Sequence, residues 1–307
     1  MTIVLAPDGP LDAGATLARF HLWGEDPANR VEGGVFSRVT RLAGGRLVPW
    51  TARLTGAVED ARVVVDVPGA LDSPAEAAVA LEARRIFGLD FDLLGFYRFA
   101  KSDPVLARLV GPLYGLRPTL AATPLEMLVG AISAQQVNLA FAFACRARLV
   151  RRLGERVERD GAHAWAFPTP AALARAPVRT LRALKFSTRK AEYIRGLARA
   201  LGDGTLDLDA LAREPNETVI ERLVALRGFG RWTAEWFLAR YAGRGDVCPA
   251  GDLGVRKAFA HFYGRGRMPG EATVRRRARP WGSWQNLAVH YLLAGQRLEA
   301  RRAGGGA

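Results

Sequence analysis

The sequence predicts an α+β protein in which an antiparallel, β-rich N-terminal domain precedes a larger all-α region. Residues 16–68 contain short segments of alternating apolar and polar residues, separated by EDPAN, EGG and AGG. From about residue 75 the apolar residues recur at helical spacing. With 307 residues, the chain is also long for one domain. We therefore assign residues 1–98 to the N-terminal domain and residues 99–307 to the helical region.

Each region is predicted from several segments. In the N-terminal domain, the segments that predict strands are TLARFHLW, VFSRVTRLAGGRLVPW, TARLTGAV and ARVVVDV. In the helical region, Thr123, Pro124 and Glu126 form a capping-box pattern with proline at the first helical position. The other helical segments include SPAEAAVALEARRIFGL, DPVLARLVGPLYG, TRKAEYIRGLARALGDG and WGSWQNLAVHYLLAGQRLEARR.

The charge of the chain predicts a polyanionic partner. The net charge is +14, the isoelectric point is near 10.8, and arginine supplies nearly all of the positive excess. Arginine binds phosphate through a planar fork of N–H groups, which favours nucleic acid. A GC-rich genome also favours arginine over lysine, but it does not account for the positive balance.

Several classes of protein are disfavoured by composition. No stretch approaches the roughly 20 apolar residues that span a bilayer. The first residues, MTIVLAPDGPLDAG, are acidic and lack the basic start of a secretory signal. Two cysteines argue against a disulfide framework or an iron–sulfur cluster, and Cys145 lies in an apolar run typical of a buried thiol. We therefore expect a cytoplasmic protein without membrane association.

The segment ETVIERLVALRGFGRWTAEWFLARYAG predicts two helices joined by about five residues that include Gly228 and Gly230. Glycine permits a positive φ, and the first amides of the second helix lack intrahelical acceptors. Together they can form a backbone cradle for a phosphate. A plain helical hairpin with a glycine C-cap explains the same pattern. A dinucleotide fingerprint is excluded because no strand precedes the corner and Thr233 stands at the third glycine position.

Asp252 follows in CPAGDLGVRKAF, 22 residues beyond Gly230. An isolated aspartate before a helical pattern is most often a helix N-cap. A carboxylate beside a DNA-binding hairpin is also what cleavage of an N-glycosidic bond needs, because positive charge develops on the sugar as the base departs. From the residues alone, both interpretations stand.

LRGFGRWTAEWFLAR followed by CPAGDLGVRKAF resembles the signature of the helix-hairpin-helix (HhH-GPD) DNA glycosylase superfamily, and within it the alkylbase, 3-methyladenine type II branch. ISAQQVNLAFA resembles the first core helix of that branch, and the N-terminal domain resembles its TATA-binding-protein-like domain. The resemblance implies a core of two helical subdomains, one over about 118–243 and one formed by about 99–117 with 244–307.

The resemblance also implies roles for individual residues. Asp252 corresponds to the family's catalytic aspartate, and Gly228 and Gly230 correspond to hairpin glycines whose neighbouring amides hold a phosphate. We extend that DNA contact to Arg231 and Thr233 at the start of the second helix.

Further residues follow from the same resemblance. Gln136 falls where the family fills the gap left by the flipped nucleotide, and Lys190 is a candidate for a DNA backbone contact. Family members often bind an alkali cation, Na⁺ or K⁺, through hairpin carbonyls. Here those would be the carbonyls of Val224, Leu226 and Phe229.

Trp232 and Trp236 are four residues apart and share a helix face. As a lone pair they would most often be core residues, but under the resemblance they form walls of the base pocket. His290 aligns where a relative places another pocket tryptophan, although a histidine on an apolar helix face is usually part of the core. Trp232 also replaces the Schiff-base lysine of bifunctional members. A lysine elsewhere, such as Lys257, is not excluded.

The sequence therefore predicts a monomeric, monofunctional glycosylase that flips alkylated purines out of damaged double-stranded DNA and requires no cofactor. Two alternatives remain open. One is a non-catalytic DNA-binding module, and the other is a glycosylase for oxidised or deaminated bases.

Overall fold

The computed structural model describes residues 1–159, 162–264 and 266–304. It confirms the α+β class, with an antiparallel N-terminal sheet followed by a mostly helical core. In the described part of the chain, no helix is both long enough and apolar enough to cross a membrane.

The N-terminal sheet has five antiparallel strands in the order β1-β5-β4-β3-β2. The strands are β1 (Thr2–Leu5), β2 (Arg30–Glu32), β3 (Val35–Arg41), β4 (Leu47–Thr55) and β5 (Arg62–Asp66). Alternate residues such as Val63 and Val65 are buried, while Arg62 is exposed. The buried face packs with the next helix, α3 (Ser73–Ile86), around Trp50. Strands β3, β4 and β5 were predicted, whereas β1 and β2 were not.

The segment TLARFHLW was predicted to be a strand, and that prediction is wrong. It forms parts of two short helices, α1 (Ala13–Leu17) and α2 (Arg19–Leu22). The Asp12 side chain caps the first helix by accepting the N–H of Ala15 at 2.9 Å. Leu17 and Phe20, three residues apart, are both buried in the core under the sheet. That spacing suits a helix, which the short alternating pattern concealed.

The remaining helices and one hairpin form the core. They are α4 (Leu93–Ala100), α5 (Pro104–Val110), α6 (Pro124–Ala134), α7 (Leu139–Leu153), β6 (Glu155–Arg159), β7 (Ala162–Ala166), α8 (Pro170–Arg175), α9 (Val178–Ala183), α10 (Thr188–Gly202), α11 (Leu208–Leu211), α12 (Asn216–Val224), α13 (Arg231–Arg240), α14 (Leu253–Phe262), α15 (Glu271–Ala278) and α16 (Gln285–Gly304). The β6–β7 hairpin corrects the all-α prediction for this region. As predicted, Thr123 caps α6 by accepting the N–H of Glu126 at 3.2 Å.

A buried ion network joins the sheet to the helical core. Arg38 of β3 contacts Glu126 of α6 at 2.5 Å and Glu82 of α3 at 2.8 Å, and the Arg38 and Glu126 side chains are each 3% exposed. Arg146 of α7 contacts the same Glu126 carboxylate at 3.1 Å. Burial alone would raise the pKa of Glu126, but the charge and hydrogen bonds of Arg38 lower it. Each charge in the network therefore depends on its partners.

We expect Arg38→Met to lower the free energy of unfolding by about 3–5 kcal/mol, because it removes the cation that Glu82 and Glu126 share and leaves Glu126 with Arg146 alone. Denaturant unfolding measures the loss. The control is Arg30→Met, which removes the exposed Arg30–Glu32 pair and should cost less than about 1 kcal/mol. Equal losses of unfolding free energy in the two variants would contradict a stabilising role of the buried network.

Candidate active site

The corner between α12 and α13 requires glycine at Gly228 for two reasons. Its φ is +93°, and a Cβ atom there would lie 2.3 Å from the ring of Tyr193 on α10. Gly230 is the N-cap of α13 with a φ of −123°, and the space beside it is open. Within the described residues, no acceptor binds the N–H groups of Gly230, Arg231 or Trp232. The corner thus presents consecutive backbone donors at a helix N-terminus, as a phosphate cradle requires.

Two neighbouring side chains do not join that cradle. Thr233 is 1% exposed and its N–H donates to the Gly230 carbonyl at 2.9 Å, so the predicted DNA contact of Thr233 is wrong. The Arg231 guanidinium contacts Glu217 at 3.0 Å and Glu235 at 2.9 Å. Since two carboxylates already hold its side chain, Arg231 offers its backbone N–H rather than a free guanidinium.

Gln136 lies in the loop between α6 and α7, exposed and with a φ of +54° that is unusual for a residue other than glycine. The neighbouring Gln135, which was not predicted as a site residue, donates from Nε2 to the Gly228 carbonyl at 2.8 Å. This bond ties the loop to the glycine corner. The sequence signal for the role of Gln135 was the pair of adjacent glutamines in SAQQVN.

Lys190 is directed into the fold, contrary to the predicted DNA contact. Its ammonium donates to the Ser133 carbonyl near the end of α6 at 2.9 Å, and its N–H donates to the Ser187 hydroxyl at 3.2 Å. Partial burial lowers the pKa of Lys190. Both of its polar groups therefore stabilise helix ends.

Asp252 is a helix N-cap that also binds two indoles. Its Oδ1 atom accepts the N–H of Val255 at 3.0 Å, which caps α14. Its Oδ2 atom accepts Nε1–H of Trp232 at 2.7 Å and of Trp236 at 3.1 Å. Three donors from two helices therefore hold both carboxylate oxygens in a fixed orientation.

A cavity of about 410 Å³ brings together four of the predicted residues, Trp232, Trp236, Asp252 and His290. Its wall continues across α1 and α2 of the N-terminal domain and across α6 and α7. The volume falls within the range of small-molecule sites and is large enough for a purine base. The Asp252 carboxylate therefore lies on the wall of a cavity of suitable size.

His290 is among the residues that line this cavity, and one of its ring nitrogens has no partner in the described part of the chain. Its Nδ1–H donates to the Asn286 carbonyl at 2.9 Å, and within the described residues its Nε2 atom is buried without a partner. The ring packs edge-on against Trp236. Burial first, and then the charge of Arg240, lowers the pKa of His290 to about 3. At neutral pH the ring is therefore uncharged, and Nε2 is a hydrogen-bond acceptor.

Five arginines that were not predicted as site residues line the same cavity: Arg19, Arg117, Arg146, Arg240 and Arg297. Arg297 is seven residues after His290, which places both on one face of α16 and is a signal that the sequence contained. Arg19 had no usable signal, because its segment was interpreted as a strand.

The predicted alkali-cation ligands lie at the end of α12 and in the corner. The Leu226 carbonyl accepts the N–H of Phe229 at 3.1 Å, so one of the three oxygens is already hydrogen-bonded. Carbonyl oxygens are the donor type that hard cations prefer, so Val224, Leu226 and Phe229 fit such an ion chemically. This cation site stays a prediction. Among the described residues, no cluster of His, Cys, Asp or Glu could hold a metal.

A family model described as HhH-GPD superfamily base excision DNA repair protein matches residues 129–283. The chain belongs to this family. The match contains the glycine corner, both indoles and Asp252, whereas Arg19, His290 and Arg297 lie outside it.

The chain is also similar to individual DNA-3-methyladenine glycosylases, in sequence and in structure. The DNA-3-methyladenine glycosylase of Bacillus subtilis (strain 168) is 32% identical over 206 residues, 67% of this chain and 68% of the relative. DNA-3-methyladenine glycosylase 2 of Escherichia coli (strain K12) is 33% identical over 187 residues, 61% of this chain and 63% of the relative. The solved structure of the 3-methyladenine DNA glycosylase from Archaeoglobus fulgidus superposes with a TM-score of 0.87 at 30% identity, covering 96% of this chain and 98% of that one.

We expect Gly228→Ala to lower the free energy of unfolding by about 1–3 kcal/mol or more, because alanine is strained at this positive φ and its methyl group would overlap the Tyr193 ring. Gly230→Ala is the matched control. Its methyl group would enter open space, and the expected loss is at most about 1 kcal/mol. Denaturant unfolding compares the two, and a Gly228 variant as stable as the control would contradict this reading of the corner.

Proposed function

We propose that this HhH-GPD protein is a monofunctional DNA glycosylase that releases alkylated purines, of the 3-methyladenine and 7-methylguanine type, from double-stranded DNA. One observation carries the proposal: the Asp252 carboxylate is held on the cavity wall by two indole N–H groups and a helix amide. The names of the relatives in Bacillus subtilis and Escherichia coli support the same substrate class.

The proposed chemistry depends on a fixed negative charge. As the bond between the sugar C1′ atom and the base breaks, C1′ becomes cationic, and a carboxylate on the cavity wall stabilises it and helps to orient the attacking water. Because donors already hold both oxygens of Asp252, the carboxylate need not reorganise when the charge develops.

An alkylated purine suits such a pocket. It carries a positive charge and leaves as a neutral base, so little acid catalysis is required. The faces of Trp232 and Trp236 would attract that cation by about 0.5–2 kcal/mol each. Aromatic walls and one carboxylate are then sufficient for release.

DNA binding in this proposal is mostly sequence-independent. The corner amides at Gly230 and Arg231 would hold a backbone phosphate, and the net charge of +14 favours the polyanion. The target base must leave the helix to enter the cavity. Gln136, exposed in a loop that Gln135 ties to the corner, would fill the gap that remains.

The proposal includes no strand cleavage by a lysine. Trp232 stands at the position of the Schiff-base lysine in bifunctional members, and its Nε1–H binds Asp252. Among the described residues that line the cavity there is no lysine, and Lys257 is not part of the wall. Without an amine near the sugar, the product would be an intact strand with an abasic site.

We expect Asp252→Asn to reduce release of 7-methylguanine from duplex DNA by about 100-fold or more, because it removes the charge that stabilises the sugar cation. Asparagine is an equally good N-cap, so the helix start is preserved. Single-turnover base release measures the reaction, and fluorescence anisotropy should show unchanged DNA binding. In the same assay, the wild-type product strand should break only after heating in alkali.

The control is Asp72→Asn, which changes the N-cap aspartate of α3, away from the cavity, and should leave release unchanged. If folded Asp252→Asn releases the base at the wild-type rate, the aspartate mechanism is wrong. If the wild type binds DNA and releases no base, the chain is a binding module. Direct strand breakage would contradict the monofunctional assignment.

A further inference from the structure

The side chain before Gln136 binds the glycine corner. Gln135 is the C-cap of α6, and its Nε2–H donates to the Gly228 carbonyl at 2.8 Å. At Gly228, a φ of +93° and the Tyr193 ring leave no room for another residue type. The hydrogen bond therefore connects the loop after α6 to the most constrained point of the corner.

The loop between α6 and α7 is short and is held at both ends. At its start, the Lys190 ammonium donates to the Ser133 carbonyl at 2.9 Å, and Gln135 binds the corner. At its end, the Asn138 side chain caps α7. Only two residues of the loop, 136 and 137, lie between these anchors. Their positions are therefore set by contacts that exist within the protein alone.

Gln136 adopts a conformation that a free chain avoids. Its φ of +54° lies in the left-handed region, which costs free energy for most residues other than glycine. Such a conformation persists only when its surroundings impose it. Within the described residues the Gln136 side chain makes no hydrogen bond that would impose it. The constraint therefore comes from the anchors on either side, and Gln135 is the nearest of them in the chain.

The loop and the first turn of α7 form an exposed surface beside the corner. Every residue from 136 to 141 is exposed, and the side chains of Val137, Leu139 and Phe141 are each more than a third exposed. Proteins that open a DNA base step use apolar side chains of this kind against the nucleobases. The surface that carries Gln136 therefore suits the same partner as the corner amides.

The hydrogen bond of Gln135 relates this surface to the phosphate cradle. When a base leaves the duplex, a gap remains that a protein side chain can fill. A side chain that already has the required conformation loses less conformational freedom when it enters the gap. Under the proposed function, the corner amides hold the strand by a phosphate. The Gln135–Gly228 hydrogen bond then fixes the position of Gln136 relative to that phosphate.

We propose that Gln135 is a positioning residue for base extrusion. Its hydrogen bond to the corner holds Gln136 in the conformation that fills the gap, so Gln135 stabilises the extruded state and leaves the chemical step unchanged. This proposal rests on the glycosylase function proposed above. Because an unpaired base costs less to extrude than a paired one, the contribution of Gln135 should depend on the base opposite the target.

The test compares release of 7-methylguanine from two duplexes under single-turnover conditions. One duplex has cytosine opposite the target, and the other has an abasic spacer there. Gln135→Met removes the donor and keeps a side chain of similar length. We expect it to slow release from the paired target by about three- to tenfold, the effect of one neutral hydrogen bond, and to leave release from the unpaired target unchanged. Gln136→Ala, which removes the filling side chain, should show the same pattern.

The double variant shows whether Gln135 acts through Gln136. If it does, Gln135→Met in a Gln136→Ala background should cause no further loss on the paired target. Additive losses would mean that the two residues act independently, which contradicts the proposal.

Gln285→Met is the matched control. Gln285 is also a glutamine whose Nε2–H donates to a backbone carbonyl, that of Asp246 at 3.0 Å, and it is not among the described residues of the cavity wall. Release from both duplexes should equal that of the wild type. Activity on the unpaired target also shows that each variant is folded.

Three further results would overturn the proposal: equal losses on both duplexes, which would indicate a general structural role; a wild-type rate for Gln135→Met or Gln136→Ala on the paired target; or the same pattern of losses in Gln285→Met. A wild type that releases the base from neither duplex contradicts the glycosylase function itself.

Discussion

The site depends on one arrangement, a carboxylate fixed by two indoles. Trp232 and Trp236 are one helical turn apart on α13, and both Nε1–H groups bind the same oxygen of Asp252 at the start of α14. The other oxygen caps α14. This couples the helix that begins at the glycine corner to the helix that begins at the aspartate. Under the proposed function, a DNA backbone phosphate bound at the corner would therefore lie at a fixed position relative to the Asp252 carboxylate.

The rest of the fold encloses that charge. The helical core supplies the indoles, the aspartate and His290, while α1 and α2 of the N-terminal domain close another side of the cavity. The buried network around Arg38 and Glu126 keeps the two parts of the chain in register. Since Arg19 of α2 lines the cavity, the N-terminal domain contributes to the pocket wall as well as to the stability of the fold.

The sequence predicts the features that depend on residues close together in the chain. It misses the features that depend on contacts between distant segments. The glycine corner, the cap at Asp252 and the shared face of Trp232 and Trp236 follow from spacing along helices. In contrast, Lys190 and Thr233 were interpreted as DNA contacts. The sequence does not show that the Ser133 carbonyl lies beside Lys190 or that Thr233 is buried in the core. Arg19 was missed because the alternating pattern of its segment was interpreted as a strand, whereas the segment forms α2.

A catalytic role of Asp252 can be tested by a crystal structure of the protein with duplex DNA carrying a 1-aza-2′-deoxyribose residue, whose ring nitrogen is cationic where the sugar cation would form. We expect an Asp252 oxygen about 3 Å from that nitrogen, with both indole contacts retained and a phosphate on the corner amides. A sugar analogue bound elsewhere, with the Asp252 carboxylate contacting only its own helix and the indoles, would contradict a catalytic role of Asp252.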